Sequence, residues 1–217
     1  KQNWQFWGAK ADIVHQIGRT HELKSGFEYR YNTYRQYQIG SYGGADLHSL
    51  AGQLSSVSED FTPEAAYQNR FVNQFGYDMF GNEIDGGGRN AAKHPIIAAV
   101  YLQDKIELED LVLNLGIRWD YFDPANDFIA DLEHVTTYTT DDGTYELEEE
   151  NFIPKETYSQ ISPRLGFSFP VTDQTVFHAQ YGKFIQTPEL QRLYSSTSQH
   201  AYSLSSGMFF TQENANL

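Results

Sequence analysis

Glu22-Leu23-Lys24-Ser25-Gly26-Phe27-Glu28-Tyr29-Arg30-Tyr31-Asn32-Thr33 is the stretch on which the fold turns. Leu23, Ser25, Phe27, Tyr29, Tyr31 and Thr33 occupy one set of alternate positions, and Glu22, Lys24, Gly26, Glu28 and Arg30 occupy the other. Successive side chains of a strand point to opposite faces, so the run is a ribbon with one uncharged face and one ionised face.

Working outward, similar alternation runs through Trp4–Arg19, Glu22–Gln38, Ile96–Glu109, Leu111–Asp123, Gln160–Val171 and Thr175–Thr187. All are far longer than the mean soluble strand of about 5–6 residues. In the fourth run Leu113, Leu115, Ile117, Trp119 and Tyr121 oppose Asn114, Gly116, Arg118 and Asp120. In the fifth, Leu165, Phe167 and Phe169 oppose Arg164, Gly166 and Ser168. The third is apolar on both faces from Ile96 to Val100, before Gln103, Lys105 and Glu107 mark a polar side.

Connections alternate between short and long. Tight turns fall at Thr20-His21, Glu109-Asp110 and Thr172-Asp173-Gln174, with long segments at about 39–95 and 124–159. Every tight turn therefore lies at one end and every long loop at the other, the layout of an up-and-down transmembrane barrel. Trp4, Phe6, Trp7, Tyr29, Tyr31, Trp119 and Tyr121 lie toward the long loops, and Phe167, Phe169 and Phe177 toward a tight turn. Two levels of rings suggest two interfacial girdles.

Composition agrees. Aromatic residues make up 15% of the chain while mean hydropathy is -0.56, so the rings are confined to a surface or band. The longest apolar run, Pro95 to Leu102, is well short of the ~18–20 residues of a membrane helix. The net charge of -14 disfavours nucleic acid as a partner. With no cysteine there is no disulfide, thiolate metal site or thiol nucleophile. The sequence opens at Lys1 with nothing resembling a signal peptide, and reads as an internal segment. The expected fold is all-β: about six strands of an antiparallel up-and-down transmembrane barrel, within one barrel domain over residues 1–217. A soluble antiparallel sandwich is the alternative, with its apolar faces turned inward.

The loops are expected to carry short helices. Thr62-Pro63-Glu64 has capping chemistry and Tyr67, Phe71 and Phe75 follow at spacings of four, with Gly76 placed to end the helix. Thr187-Pro188-Glu189 repeats the signal before Leu190, Leu193 and Tyr194.

Motifs for covalent or metal chemistry are weak. Asp141-Asp142-Gly143 and Glu148-Glu149-Glu150 in the acidic loop suggest at most a weak calcium site, and a solvated acidic face fits better. His15, His21, His48, His94, His134, His178 and His200 lack metal-ligand spacing, and His15 and His178 are expected on the polar face of their strands. Gly86-Gly87-Gly88 has no phosphate-cradle context. No catalytic residue, metal or cofactor is assigned, and the chain is not expected to be an enzyme. Lys24, Glu28, Arg30, Arg118, Asp120 and Arg164 are candidates for the lumen, with Lys105 and Glu107 on the same polar side; Phe27, Tyr29, Leu115, Ile117, Trp119 and Phe167 are candidates for the lipid face.

Ala99-Val100-Tyr101-Leu102-Gln103-Asp104-Lys105-Ile106-Glu107, followed by Leu113-Asn114-Leu115-Gly116-Ile117-Arg118-Trp119-Asp120-Tyr121-Phe122-Asp123-Pro124, resembles the barrel hairpins of TonB-dependent outer-membrane receptors. Ile161-Ser162-Pro163-Arg164-Leu165-Gly166-Phe167, Tyr181-Gly182-Lys183-Phe184 and Gln186-Thr187-Pro188 are similar to the next hairpin. The nearest likeness is to the Bacteroidetes type with a carboxypeptidase-like regulatory domain, and it covers the strands more than the loops. The resemblance implies a barrel of about 22 strands with a plugged lumen. It also implies location in the outer membrane of a Gram-negative bacterium and uptake of a solute with energy passed through TonB. Outer-membrane lipid, TonB and a solute are the implied partners, with a surface lipoprotein or other subunits beside them. No plug, TonB box or aromatic C-terminal strand is present in the sequence, and six strands fall below the minimum of about 8 for a closed barrel. A structural or adhesive barrel serving as a scaffold in a surface assembly is the alternative function.

Overall fold

The computed structural model describes residues 1–39, 72–78, 81–85, 88–131, 134–140 and 145–184, and beyond them residues 186, 189, 190, 193, 194, 196, 197, 200, 201 and 204. The strands are β1 (Gln2–Ile17), β2 (His21–Ile39), β3 (Val72–Phe75), β4 (Ile96–Glu107), β5 (Val112–Asp123), β6 (Phe128–Ile129), β7 (Thr137–Thr139), β8 (Tyr145–Leu147), β9 (Phe152–Ile153), β10 (Tyr158–Thr172) and β11 (Thr175–Gly182). The main sheet runs in the order β1-β2-β4-β5-β10-β11, antiparallel throughout. It does not close on itself, and β1 and β11 form its edges. At about 3.4 Å per residue the 12 residues of β4 reach roughly 40 Å, or about 28 Å along the normal of a membrane at a 45° tilt, which is the span of a hydrocarbon core.

Tight turns join β1 to β2, β4 to β5 and β10 to β11, and Gly18 in the first adopts φ 63°, a left-handed conformation that glycine tolerates. The long connections lie at the opposite end. In the first, β3 pairs with Gln36–Ile39 of β2, and Tyr34 and Lys93 are bridged between β3 and β4. In the second, β6 pairs with β9 around the inner β7–β8 hairpin.

Two expectations are corrected here. Phe75 and its three predecessors form strand β3, where a helix ending at Gly76 is expected from sequence; Thr62–Phe71 lie outside the described residues. A spacing of four keeps residues on one side of a helix, but it also keeps them on one face of a strand, and the exposed edge of β2 selects the strand. The sixth run stops at Gly182 rather than Thr187. Leu193 and Tyr194 are buried and Leu190 packs beside them, as expected, while Thr187 and Pro188 lie outside the described residues.

Exposure sorts the two faces in the reverse of a soluble protein. On the apolar face Val100 and Ile117 are 50% exposed and Ile161 is 60% exposed. On the polar face Ala99 is 3% exposed, Ser162 1% and Asn32 0%. At the centre of the sheet the polar face is thus the covered side, while toward the β1 edge Phe6 and Val14 of that face stay exposed, and no second layer covers the apolar side among the described residues. That removes the sandwich, whose apolar faces would meet each other.

Candidate functional site: the polar face and its mouth

Register decides which side chains share the polar face. Lys10 lies opposite Glu28, Glu28 opposite Ala99, Ala99 opposite Asp120 and Asp120 opposite Gln160. In the next row toward the tight turns Asp12, Gly26, Tyr101, Arg118 and Ser162 line up. One row further are Lys24, Gln103, Gly116, Arg164 and Gly182. Lys24, Glu28, Arg30, Arg118, Asp120 and Arg164 therefore share one face. Phe27, Tyr29, Leu115, Ile117, Trp119 and Phe167 share the other, with Phe27 and Trp119 both flanking Val100.

Most charges on the polar face are neutralised two residues along their own strand. Arg30 meets Glu28 at 2.6 Å, Arg118 meets Asp120 at 2.8 Å, Lys105 meets Glu107 at 2.5 Å and Lys10 meets Asp12 at 3.9 Å. Residues i and i+2 of a strand share a face, so this spacing is built for such pairing. The Tyr101 hydroxyl adds a cross-strand hydrogen bond of 2.5 Å to Asp12.

At the long-loop end an aromatic cluster covers the same face. Tyr34, Phe75, Leu193 and Tyr194 are all buried, and the ring of Tyr194 lies 5.8 Å from Tyr34 and 5.9 Å from Phe75. The Tyr194 hydroxyl donates to the Pro124 carbonyl at 2.7 Å, and burial raises its pKa. The chain after β11 thereby crosses back to β2, so both long loops and this later segment meet over one end of the polar face. Arg89 ties the loops together: its guanidinium donates to both carboxylate oxygens of Glu149 and lies 3.8 Å above the Phe152 ring. The hydrogen bond to Glu149 raises the Arg89 pKa, and the same contact lowers that of Glu149. Burial lowers Lys93 to about 8 and His200 to about 4.

The acidic loop is therefore only partly a free anionic surface. Lys155 bonds Asp123 at 2.7 Å, and Glu149 begins a short 3-10 helix and is held by Arg89. Asp141, Asp142 and Gly143 lie outside the described residues, and no group of three or more potential metal ligands occurs among those described.

Residues misplaced from sequence are instructive. Trp4 and Phe6 pair with Tyr34 and Asn32 on the polar face, so they are no part of an outward girdle; the Trp4 indole donates to Asn32 at 3.2 Å. His15 pairs with Leu23 and lies on the apolar face, whereas His178 pairs with Ser168 on the polar one. Asp104 was not singled out from sequence. It sits on the apolar face between Leu102 and Ile106, and bonds His21 Nδ1 at 2.8 Å. A register linking residues 83 positions apart carries no local signal.

A main antiparallel sheet of spanning length, with a largely apolar face left uncovered and most of its charges gathered on the other, is the wall of a membrane β-barrel. A family model described as "Outer membrane beta barrel domain" matches residues 1–216, and the chain belongs to that family. Its place is the outer membrane of a Gram-negative bacterium. No curated protein matches the chain.

Proposed function

We propose that this chain supplies part of the wall and outer mouth of a TonB-dependent receptor, which captures a solute at its exterior loops and admits it through the lumen when energised through TonB. In this reading the polar face lines the lumen and the apolar face meets lipid. The observation that carries it is the convergence of both long loops and the segment around Tyr194 over one end of the ionised face, where an arriving solute would first be held. The resemblance of the β4–β5 and β10–β11 hairpins to such receptors supports the energised step. No covalent chemistry is involved.

Uptake is tested in cells carrying the complete gene. Growth on a scarce solute should fail equally when the receptor or TonB is lost. Normal growth on every solute, with loss of a surface assembly, would replace transport by the scaffold role. The orientation of the faces is tested separately. These 217 residues hold no cysteine, so with any cysteine elsewhere in the full-length protein replaced by serine, single cysteines at Asn114, Arg118, Leu115 and Ile117 in vesicles report one face each. A charged maleimide should label the first two and spare the last two, and the opposite pattern would reject a water-filled interior.

A further inference from the structure

Arg164 breaks the pairing rule of the polar face. Lys10, Arg30, Lys105 and Arg118 each have a carboxylate two residues away on the same strand. The equivalent positions around Arg164 hold Ser162 and Gly166, and its cross-strand neighbours are Gly116 and Gly182. Among the described residues no carboxylate lies within ion-pair distance of it. Its close partner among those residues is the ring of Phe184, 5.4 Å from the guanidinium carbon, which supports the cation without neutralising it.

The glycines around it make room. A Cβ on Gly116 or Gly166 would come no nearer than 3.5 Å and 3.6 Å to any neighbour, so close packing does not require glycine at either position. What their bareness creates is a concavity of about 360 Å³, lined by Arg164, Gln103, Asn114, Gln180 and Phe184 along with the glycines. Gln103, Asn114 and Gln180 have no side-chain hydrogen bond among the described residues, so three amides face the same hollow with donors to spare. A planar guanidinium with free donors matches the paired oxygens of a carboxylate or phosphate.

We propose that Arg164, set among Gly116, Gly166 and Gly182 and ringed by the amides of Gln103, Asn114 and Gln180, is an oxoanion-binding site on the barrel wall. It takes a carboxylate or phosphate group. The group belongs either to a free solute or to another segment of the same protein seated against the wall. The site rests on the reading that the polar face lines the lumen and not the lipid, which the maleimide pattern tests on its own, so a failure there is distinguishable from a failure here.

The experiment uses the full-length protein in detergent, with inorganic phosphate and citrate as calorimetric probes and melting temperature as a second readout. The variants are Arg164→Gln, Arg164→Lys and Lys24→Gln. Lys24 also has no ion pair among the described residues and lies in the same row, three strand spacings or about 14 Å from Arg164; it pairs with Gln103 but does not itself line the hollow, so its loss removes a nearby charge and keeps the guanidinium in place. If the anion is a solute, the wild type binds a probe, Arg164→Gln weakens it at least tenfold, Arg164→Lys weakens it less and Lys24→Gln leaves it nearly unchanged. If the anion is internal, neither probe binds, but Arg164→Gln lowers the melting temperature at pH 7 and not at pH 3, where a carboxylate is protonated, while Lys24→Gln does neither. Any other result overturns the site, most directly an Arg164→Gln variant that matches Lys24→Gln in both readouts.

Discussion

Arg89 and Glu149 form a two-pronged ion pair, with the guanidinium nitrogens 2.5 and 2.7 Å from the two carboxylate oxygens, and they join the two long loops at the mouth of the barrel wall. The arginine is positioned by stacking on Phe152, and its carbonyl accepts a hydrogen bond from Lys93 Nζ at 2.6 Å. Glu149 is exposed, so the pair organises the loops far more than it stabilises the barrel.

Arg89→Ala is therefore expected to leave the melting temperature of the barrel within a degree or two and to raise amide exchange specifically around residues 149–153. Because the pair holds the Glu149 carboxyl below its ordinary range, its contribution is present above the unfolded carboxylate pKa and is lost as pH falls through the lower folded value. Exchange mass spectrometry of wild type and variant should converge in acid. A variant with unchanged loop exchange at pH 7 would mean that the pair carries no organising role.

The segment containing His200 should respond to milder acid. Burial holds His200 neutral, with its pKa lowered from 6.5 to about 4. Between those values the opened segment binds a proton that the docked one refuses, so docking weakens as pH falls from 6.5 toward 4, by up to roughly 3 kcal/mol. Limited proteolysis near residue 200 should accelerate over that window, and His200→Gln should flatten the response. Cleavage equally slow at pH 7 and pH 4.5 would contradict the burial argument.

Two glycines of the polar face should differ sharply. A Cβ on Gly26 would meet the Asp12 carboxylate, the Tyr101 ring at 2.6 Å and the Ala11 carbonyl at 2.8 Å, so Tyr101 covers the glycine while its hydroxyl reaches Asp12. Gly26→Val forces that ring aside, and overpacking of this kind costs about 1–3 kcal/mol. Gly116→Ala fills open space and should be nearly neutral. Urea unfolding of the two variants, followed by heat-dependent gel mobility, checks the contrast; equal midpoints would refute it.

What was legible in the sequence follows from periodicity. Strand existence, the sorting of Lys24, Arg118 and Arg164 from Phe27, Ile117 and Phe167, and the alternation of connections all follow from a period of two, which is local. Absolute face assignment is less secure where a strand carries apolar residues on both sides: Trp4 and Phe6 stand out as rings, but only pairing with Tyr34 and Asn32 shows that they share the polar face. The niche around Arg164 depends on Gly116 and Gly182, which are neighbours only through register with two other strands. Strand β3 was hidden because Phe71 and Phe75 satisfy helical and strand spacing alike.

Lys93 allows the mouth to be probed from the alkaline side. Its ammonium is buried beneath the loops, where desolvation lowers its pKa from 10.5 to about 8 against the opposing pull of Asp127, with Arg89 lowering it further. At neutral pH the folded mouth therefore holds a charge that the opened state holds more comfortably in water. As pH rises from 8 to 10.5 the folded state sheds that proton first, the penalty disappears and the mouth gains stability. The backbone of Lys93 is bonded to Tyr34 in both directions, at 2.8 and 3.0 Å, so the gain is felt where the loop docks on β2. Trp4 of β1, whose indole bonds Asn32 of β2, is a local reporter once the other two tryptophans of these 217 residues are replaced by Trp7→Phe and Trp119→Phe. The Trp4 fluorescence transition should move to higher temperature between pH 8 and pH 10 in that background, and Lys93→Met should abolish the shift whatever its effect on the transition itself. A transition that moves equally in both proteins would assign the pH dependence to other groups and remove Lys93 as its source.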